Sequence, residues 1–348
     1  MAYTTINKST DYFNTVLYTG TEPSNKAVTG VGFQPDWVWI KQRSGPEGHY
    51  LADVIRGSTY VIRSNETAVE NNRGSNGIQS FNSDGFTAGG GDDINSSGGT
   101  FASWNWKANG AGSANTAGTI NSTVSVNTTA GFSIVSYTGT GANATVGHGL
   151  SVAPSLIILK NRTSAKQWQI LHHKNTAAPA TQQLEFYTDA TATVTSQWNS
   201  VMPTNTVFSI GTNNATNESG ESIIAYCFAE KTGYSKFGSY TGNGSSSNFI
   251  YTGFKPAFVM TKCTSNAGES WLIQDSKRIG YNGITHGLLA NSSAVEASET
   301  YQEIDFLSNG FNWKGTDTRV NANNYTYIYM AFAEAPLVGS NNVPATAR

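Results

Sequence analysis

The sequence predicts an all-β protein built from three tandem antiparallel β-sandwich modules. Composition gives the first reason, since only 13% of the 348 residues are charged and 36 are glycine. An abundance of Gly, Asn, Ser and Thr favours strands and turns over helices. Short alternating runs such as 132–137 and 325–330 lie between turn residues, as strands do. The third reason is a threefold internal repeat.

The repeat is marked by a Tyr-Thr-Gly triplet at 18–20, 137–139 and 240–242. A proline follows each triplet after 14 or 15 residues, and a lysine lies six positions after each proline. These residues are Pro35, Pro154, Pro256, Lys41, Lys160 and Lys262. The residues between each proline and its lysine form a short apolar run, which predicts a strand buried on both faces in every repeat.

Landmarks also recur in the later half of each repeat. Phe86, Phe208 and Phe311 occupy corresponding positions, and in the first and third repeats a Ser-Asp-Gly or Ser-Asn-Gly segment precedes the phenylalanine. Such a segment predicts a β-hairpin. The second repeat lacks it. The first and third repeats also share the segments 65–70 and 291–296, which both start with Asn and end with Ala-Val-Glu.

These landmarks divide the chain into six parts. They are an N-terminal segment (1–13), a first module (14–108), a linker with a leading strand (109–131), a second module (132–231), a third module (235–335) and a C-terminal tail (336–348). The small polar stretch 109–116 is typical of a flexible connection. The joint 231–234 is much shorter, which predicts rigid packing of the second module on the third.

Charge and targeting features reduce the number of functional classes that fit the sequence. A net charge of −2 argues against a nucleic-acid-binding surface, because phosphate contact requires clustered Lys and Arg. The first residues lack the basic and apolar blocks of a signal peptide. No run of about 18 apolar residues is present, so we expect no membrane insertion. Cys227 and Cys263 make no disulfide framework.

The sequence contains no recognisable catalytic constellation, and we expect a non-enzymatic protein without a cofactor. His172 and His173 are a poor metal pair, because neighbouring strand residues point to opposite faces. The most concentrated acidic position is Asp92 and Asp93, in a Gly-rich segment. We predict a solvated turn there, with a calcium loop or a catalytic acid pair as the alternatives.

Several recurring residues are predicted to be structural. The three lysines end buried strands, where a lysine can snorkel or guard a sheet edge; contact with an anionic partner is the alternative. Glu70 and Glu296 recur in two repeats, which favours internal ion pairing. Trp37 and Trp39 are replaced by Leu, Ile, Phe or Met in the other repeats. Packing tolerates such replacements, so both tryptophans are predicted core residues.

The candidate ligand or interface residues are Tyr325, Tyr327 and Tyr329. They alternate with other residues, so we expect them to line one face of a strand. Neither other repeat has this tyrosine ladder at the matching position. Tyrosine rings suit interfaces and also stack on sugar rings. Three interpretations stay open: packing between repeats or chains, a ligand surface, and an ordinary core.

The segments 31–41, 81–87, 104–108 and 327–334 resemble repeats of structural proteins from marine tailed phages. The resemblance extends over residues 14–335 and is weakest in the second repeat. Proteins of that family are described as virion proteins, with tail-fibre and lectin-like jelly-roll labels. The resemblance therefore implies jelly-roll-like modules and a place on the virion. It implies no particular catalytic or binding residue.

Together, the repeat and the resemblance predict a virion surface protein, made in the host cytoplasm and released by lysis. The favoured function is a tail-fibre or adhesin component that contacts the host surface, with a glycan as ligand and repeated modules supplying avidity. The alternative is a capsid decoration, head-fibre or cement protein without a ligand of its own. Expected partners are other virion proteins and further copies of the chain, a trimer by analogy with fibres.

Overall fold

The computed structural model describes residues 3–339, 341 and 343. It confirms the all-β prediction, with 42% of residues in strands and 6% in helices. The terminal segments 1–13 and 336–348 lie partly outside the described residues. The helices are single turns: α1 (Asp92–Asn95), α2 (Asn214–Asn217) and 3-10 turns at Ser9–Asp11, Gly74–Asn76, Pro179–Thr181 and Thr300–Gln302.

The first repeat forms two antiparallel sheets and a small ribbon. Its strands are β1 (Phe13–Thr19), β2 (Lys26–Thr29), β3 (Trp37–Gln42), β4 (Tyr50–Asp53), β5 (Tyr60–Val61), β6 (Asn71–Asn72), β7 (Ile78–Asn82), β8 (Gly85–Ala88) and β9 (Thr100–Trp106). The larger sheet has the order β1-β9-β3-β4 and the smaller one the order β2-β8-β7, while β5 pairs with β6.

The second repeat keeps this plan but loses one strand of the smaller sheet. Its strands are β10 (Ser113–Asn115), β11 (Ser122–Asn127), β12 (Phe132–Thr138), β13 (Ala144–Gly147), β14 (Leu156–Asn161), β15 (Gln169–His172), β16 (Gln182–Gln183), β17 (Ala192–Thr193), β18 (Val207–Ile210) and β19 (Ser222–Phe228). The sheets are β10-β11-β12-β19-β14-β15, β13-β18 and β16-β17. Part of the predicted flexible connection, 109–116, is therefore strand β10, paired with the leading strand β11.

The third repeat resembles the first. Its strands are β20 (Ser235–Thr241), β21 (Asn248–Tyr251), β22 (Phe254–Cys263), β23 (Leu272–Asp275), β24 (His286–Leu289), β25 (Ala297–Ser298), β26 (Ile304–Leu307), β27 (Gly310–Trp313) and β28 (Thr326–Pro336). The sheets are β20-β28-β22-β23-β24-β25 and β21-β27-β26. The three recurring phenylalanines are equivalent, because each lies opposite an aliphatic residue of the paired strand: Phe86 and Val28, Phe208 and Val146, Phe311 and Ile250.

The predicted hairpins are present in the first and third repeats, as β7-β8 and β26-β27. The pattern that recurs in these two repeats places glycine at the first residue after the turn, where another strand approaches closely. A Cβ on Gly85 would lie 2.0 Å from the carbonyl oxygen of Val28, and one on Gly310 would lie 2.1 Å from that of Ile250. Glycine is therefore required there by the neighbouring strand.

Four hydrophobic clusters of described residues hold the sheets together. Three of them each lie between the two sheets of one repeat. The fourth, which we call the central core, takes residues from all three repeats, among them Trp37 and Tyr226, whose rings stack with centroids 4.3 Å apart. Trp37 and Trp39 are therefore core residues, as predicted, but the core is one that the repeats share.

Equivalent hydrogen bonds join the repeats in a closed ring. In each repeat, the residue just before β4, β15 or β23 directs a ring nitrogen to a backbone carbonyl of another repeat. The pairs are His49 with Leu289 (2.9 Å), Trp168 with Arg63 (2.8 Å) and Trp271 with Glu185 (2.7 Å). The first repeat thus contacts the third, the second contacts the first and the third contacts the second. The larger sheets consequently surround the central core about an approximate threefold axis.

Buried ion pairs reinforce the interface between the first and second repeats. Arg56 is fully buried and bonds to Asp53 and, at 3.1 Å, to Glu70. Glu70 also bonds to Arg162 of the second repeat at 2.8 Å. The predicted ion pairing of Glu70 is confirmed, and its partners show that it acts across a repeat boundary.

The same arrangement recurs between the third and first repeats. Arg278 is buried against Asp275 at 2.7 Å and against Glu296 at 3.0 Å. Glu296 reaches Arg43 of the first repeat at 2.8 Å, and this pairing lowers the pKa of the Glu296 carboxyl although burial opposes it. The ion-pairing prediction for Glu296 is confirmed as well.

The interface between the second and third repeats has uncharged residues at these positions. His172 stands at the end of β15, where the other repeats have aspartate, and its Nε2 lies 3.1 Å from the carbonyl oxygen of Tyr329. Burial lowers the pKa of His172 to about 3, so the ring is neutral at ordinary pH. Asn175 accepts a hydrogen bond from Thr191 at 2.8 Å, in the place of the arginine–glutamate pair.

The Tyr-Thr-Gly triplet binds a buried asparagine in each repeat. In the first repeat, the Tyr18 hydroxyl donates to a carbonyl of α1 at 2.7 Å, and the amide after the triplet donates to Asn95 Oδ1 at 2.8 Å. A Cβ on Gly20 would lie 2.1 Å from the carbonyl oxygen of Ser96. Matching contacts join Tyr137 and Thr140 to α2, and Tyr240 and Asn243 to Val320 and Asn321. The triplet thus has a structural role, because it fixes the segment that carries the buried asparagine in each repeat.

Candidate functional site

The central core has two different ends. Trp37 and Trp39 belong to it, and because strand side chains alternate, Lys41 lies on the same face of β3 at the other end of the strand. At the Trp37 end, aromatic rings from all three repeats meet: Trp106, Phe228 and Phe332 lie within 5.7–6.4 Å of one another, centroid to centroid. We call these the aromatic end and the lysine end.

The three repeated lysines are fully buried and donate to backbone carbonyls. Lys160 Nζ donates to Thr67 of the first repeat at 3.0 Å, and Lys262 Nζ donates to Tyr187 of the second at 3.2 Å; Lys41 donates within its own repeat. Their strands are interior to the sheets, so the predictions of snorkelling and edge protection are wrong. Burial lowers the pKa of each lysine to about 8.

A pocket opens at the lysine end, and we call it the axial pocket. It has a volume of about 440 Å³, within the range of about 300–1,000 Å³ that ligand pockets have. All three repeats supply its lining: Asn65, Glu66, Thr67, Ala68, Gln167, Phe186, Tyr187 and Asn291. It lies beside the carbonyls of Thr67 and Tyr187, which accept hydrogen bonds from Lys160 and Lys262.

Two consecutive aromatic residues shape the axial pocket. Phe186 is buried and packs against Trp39 at 5.7 Å and against Trp271 at 5.3 Å, centroid to centroid. Tyr187, by contrast, is 47% exposed, and its backbone carbonyl accepts from the buried Lys262. The Tyr187 ring therefore stands on a fixed backbone with its surface accessible.

Carboxamides supply most of the pocket's polar groups. Asn65 and Asn291 use their oxygens to accept backbone hydrogen bonds at 2.8 and 2.9 Å, which fixes both side chains. Within the described part of the chain, the Gln167 side chain makes no hydrogen bond to protein, although its backbone carbonyl accepts one from Gln169. The Gln167 carboxamide can thus both donate and accept hydrogen bonds at the pocket.

Charge at the axial pocket is limited to Glu66. Its carboxylate lies 3.7 Å from the Arg63 guanidinium, and both side chains are partly exposed. No lysine or arginine is among the lining residues. The pocket can therefore bind hydroxyl or amide groups but offers no cation for a strongly anionic ligand.

A second pocket, of about 360 Å³, lies in the third repeat. Tyr281, which is 76% exposed, lies at this pocket with Lys277 and the ion pair of Lys255 and Glu334, 2.8 Å apart. All of its lining residues belong to one repeat. We call it the third-repeat pocket, and it provides a matched comparison site for experiments.

The structure corrects the ligand-surface interpretation of the tyrosine ladder. Tyr327 and Tyr329 are 0% and 3% exposed and lie inside the third repeat. Tyr327 stacks on Tyr240 with ring centroids 4.9 Å apart and donates to Thr318 at 2.8 Å. Tyr325 precedes β28 and is half-buried. Two of the three tyrosines are therefore core residues, because the neighbouring strand β20 and the smaller sheet cover them.

The structure gives Asp92 and Asp93 separate environments. Asp93 is buried and pairs with Arg63 at 2.6 Å and Arg73 at 3.3 Å, while Asp92 is exposed. A hydrogen bond between the two carboxyl groups of Glu22 and Asp92 raises the pKa of the exposed Glu22 carboxyl, because it requires a proton between them. Among the described residues, no group of three or more His, Cys, Asp or Glu side chains could hold a metal ion. The predicted solvated turn is therefore wrong for Asp93, because its carboxylate is buried against two arginines.

The histidine pair contacts the third repeat. His172 and His173 direct their Nε2 atoms to the carbonyl oxygens of Tyr329 and Phe237, at 3.1 and 2.6 Å. Burial lowers the pKa of both rings. They act as interface residues. Cys227 and Cys263 are free and buried.

A family model described as "Domain of unknown function (DUF7483)" matches residues 8–336. The chain belongs to the DUF7483 family. The match covers all three repeats of the DUF7483 chain together. No curated protein matches the chain. None of the helices in its described part has the length and apolar character that crossing a membrane requires.

Sequence analysis of the DUF7483 chain missed the axial pocket but held one signal for it. The segments 65–70 and 291–296 recur in two repeats, and both contribute to the pocket through Asn65 and Asn291. The recurrence of these two segments indicated a structural role for them and did not indicate a pocket. Tyr187 and Gln167 gave no signal, because the structure brings them to the pocket from loops of the second repeat.

Proposed function

We propose that the DUF7483 chain is a phage virion surface protein that binds a host-surface glycan, as a tail-fibre or adhesin component does. The virion assignment rests on the resemblance of residues 14–335 to repeats of marine phage structural proteins. The glycan assignment rests on one observation, the axial pocket, in which an exposed tyrosine ring lies near three carboxamides and one carboxylate, that of Glu66.

The chemistry of this pocket suits a sugar. A pyranose ring presents hydroxyl groups around its edge and C–H groups on its faces. Carboxamides both donate and accept hydrogen bonds, so the Gln167 side chain can satisfy hydroxyl groups of either kind. Asn65 can donate through its amide nitrogen, while Asn291 already donates to Ser270 at 3.3 Å. The amphipathic ring of Tyr187 can cover a sugar face while its hydroxyl stays in water.

The polarity of the molecule supports an outward-facing pocket. β1 begins at Phe13 opposite Trp106, and β28 ends at Pro336 opposite Phe254. Both of these strand ends lie toward the aromatic end, away from Lys41. Attachment of the aromatic end to other virion proteins would leave the axial pocket facing the host.

Each repeat is proposed to be a jelly-roll-like β-sandwich module, since each packs a larger and a smaller antiparallel sheet around its own core. The three modules close a ring within one chain and share one axial pocket. Avidity would then come from several copies of the chain on a virion, not from the three modules.

Binding to host cells tests this function. Fluorescently labelled chain should stain cells that the phage infects and should slow phage adsorption when added first. Tyr187→Ala should weaken both effects. Tyr281→Ala, the same substitution of an exposed tyrosine at the third-repeat pocket, should leave them intact. A wild-type chain that neither stains cells nor competes with phage would refute the proposal.

The ring favours a second candidate, a capsid decoration or cement protein. Three equivalent surfaces about one axis could seat on a threefold position of an icosahedral shell, because matching symmetry lets each repeat make the same contact. Gold-labelled antibody on intact virions separates the candidates. Label over the head, with heads that become heat-sensitive when the protein is stripped, supports decoration; label on tail fibres supports the adhesin.

A further inference from the structure

We infer that the axial pocket holds one uncharged pyranose unit and that each chain binds a single copy. This inference rests on the proposed function and extends it by specifying the charge of the sugar, the number of sugar units held and the stoichiometry.

The stoichiometry follows from the position of the pocket. Asn65 comes from the first repeat, Gln167 and Tyr187 from the second and Asn291 from the third. A pocket whose lining takes residues from each of the three repeats does not belong to any one of them. The repeats therefore build one site together instead of carrying one site each.

The exposed ring is a feature of the second repeat alone. The carbonyls of Thr67 and Tyr187 have the same task, since they accept from Lys160 and Lys262. Thr67 carries no ring at this position. Because Tyr187 has a ring where Thr67 has none, the lining of the pocket is asymmetric. A bound sugar therefore has one aromatic face to stack on, which gives it one orientation.

The ring's surroundings are pre-organised. Phe186 is held by Trp39, Trp168 and Trp271, with centroid distances of 5.3–5.7 Å. Lys262 fixes the carbonyl of the next residue. A site whose backbone is already fixed loses little conformational freedom on binding, which favours affinity for a small ligand.

The charge distribution selects an uncharged sugar. Glu66 is the charged residue of the lining, and the nearest cation to it is Arg63, 3.7 Å away. A carboxylate-bearing sugar would face Glu66 without a lysine or arginine in the lining to compensate. The ammonium groups of Lys160 and Lys262 are buried and occupied by carbonyl oxygens.

Saturation-transfer NMR on the full chain tests the inference directly. The probes are the methyl glycosides of glucose, galactose, mannose and N-acetylglucosamine, with N-acetylneuraminic acid as the charged comparison. For at least one uncharged glycoside, we expect binding that Tyr187→Ala and Gln167→Ala each weaken about tenfold or more, the change that about 1.4 kcal/mol produces. Tyr187→Phe keeps the ring and should retain binding, and Tyr281→Ala should match the wild type.

Protein-observed spectra of the same samples give the stoichiometry. We expect shifts of the Gln167, Asn65 and Asn291 side-chain amides that follow one binding curve, with no shifts at the third-repeat pocket. Shifts at three corresponding loops, tighter binding of N-acetylneuraminic acid, or no glycoside binding at all would each overturn the inference. If staining of host cells persists in Tyr187→Ala, the adhesin function survives and this site assignment fails. If the wild type stains no cells, the proposed function itself fails.

Discussion

The Tyr226 hydroxyl donates a 2.7 Å hydrogen bond to the Asp53 carboxylate, in a fully buried contact between the second and first repeats. The same carboxylate accepts from two backbone amides and from Arg56. In the third repeat, Asp275 accepts from Trp104 of the first repeat at 3.1 Å and from Arg278. A buried aspartate thus receives a side-chain donor from a neighbouring repeat at two of the three interfaces, which ties the ring together.

Substitution of Asp53 should destabilise the whole chain. Asp53→Asn leaves Arg56 buried without its closest counter-charge, so we expect a loss of about 3–5 kcal/mol of unfolding free energy. Tyr226→Phe removes a hydrogen bond to a charged group and should cost about 1.5–3 kcal/mol. Urea unfolding followed by tryptophan fluorescence measures both. As the control, Asp11→Asn breaks the exposed pair with Lys8 and should cost less than about 1 kcal/mol.

The sequence predicted that the strand before each repeated lysine is buried on both faces. It did not predict which segments of the chain cover those faces. The apolar run that includes Trp37 and Trp39 predicted a strand buried on both faces, and β3 is buried throughout. One face packs inside the first repeat and the other in the central core. The apolar run indicates that both faces of the strand are apolar, but it does not indicate which segment of the chain covers each face.

The same limit explains the tyrosine ladder and the axial pocket. Alternation correctly placed Tyr327 and Tyr329 on one face of a strand, yet that face turned out to be the inside of the third repeat. The pocket residue Tyr187 lies outside any strand, and its counterpart in the first repeat, Thr67, has no aromatic ring. Only the closed ring, formed by contacts far apart in sequence, brings Tyr187 next to Asn65 and Asn291.

The glycine of the Tyr-Thr-Gly triplet should be intolerant of a single methyl group. On Gly20 a Cβ would lie 2.1 Å from a backbone oxygen, whereas on Gly90 the nearest atom would be a side-chain oxygen 3.5 Å away. We expect Gly20→Ala to cost about 1–3 kcal/mol or more through overpacking, and Gly90→Ala to change stability by less than about 1 kcal/mol. Equal urea midpoints for the two variants would contradict the close contact.

The buried lysines should make stability rise with pH in the alkaline range. Burial lowers the pKa of Lys41, Lys160 and Lys262 to about 8, from 10.5. Between these values the unfolded chain holds protons that the folded chain has released, so the free energy of unfolding increases with pH. Unfolding at pH 7.5, 8.5 and 9.5 should show a smaller increase for Lys160→Met than for the wild type. Lys8→Met, at an exposed position, should keep the wild-type slope; a wild-type slope in Lys160→Met would contradict the lowered pKa.

Substitutions at the uncharged interface between the second and third repeats can test whether it has the same geometry as the other two interfaces. His172 corresponds to Asp53, because each ends its strand and accepts a hydrogen bond from the backbone amide two positions later. Asn175 correspondingly takes the place of Arg56. His172→Asp alone buries a carboxylate beside the Tyr329 carbonyl without a cation, and we expect a loss of about 3–5 kcal/mol.

Adding Asn175→Arg to His172→Asp should recover more than half of that loss, because the arginine can reproduce the pairing of Arg56 with Asp53. Asn175→Arg alone should also destabilise, since it buries a cation without a partner. The coupling energy comes from a double-mutant cycle in urea. Additive effects would mean that the third interface has a different geometry at this position. A strong favourable coupling would mean that the three interfaces are built alike and that the second repeat has exchanged an ion pair for uncharged hydrogen bonds.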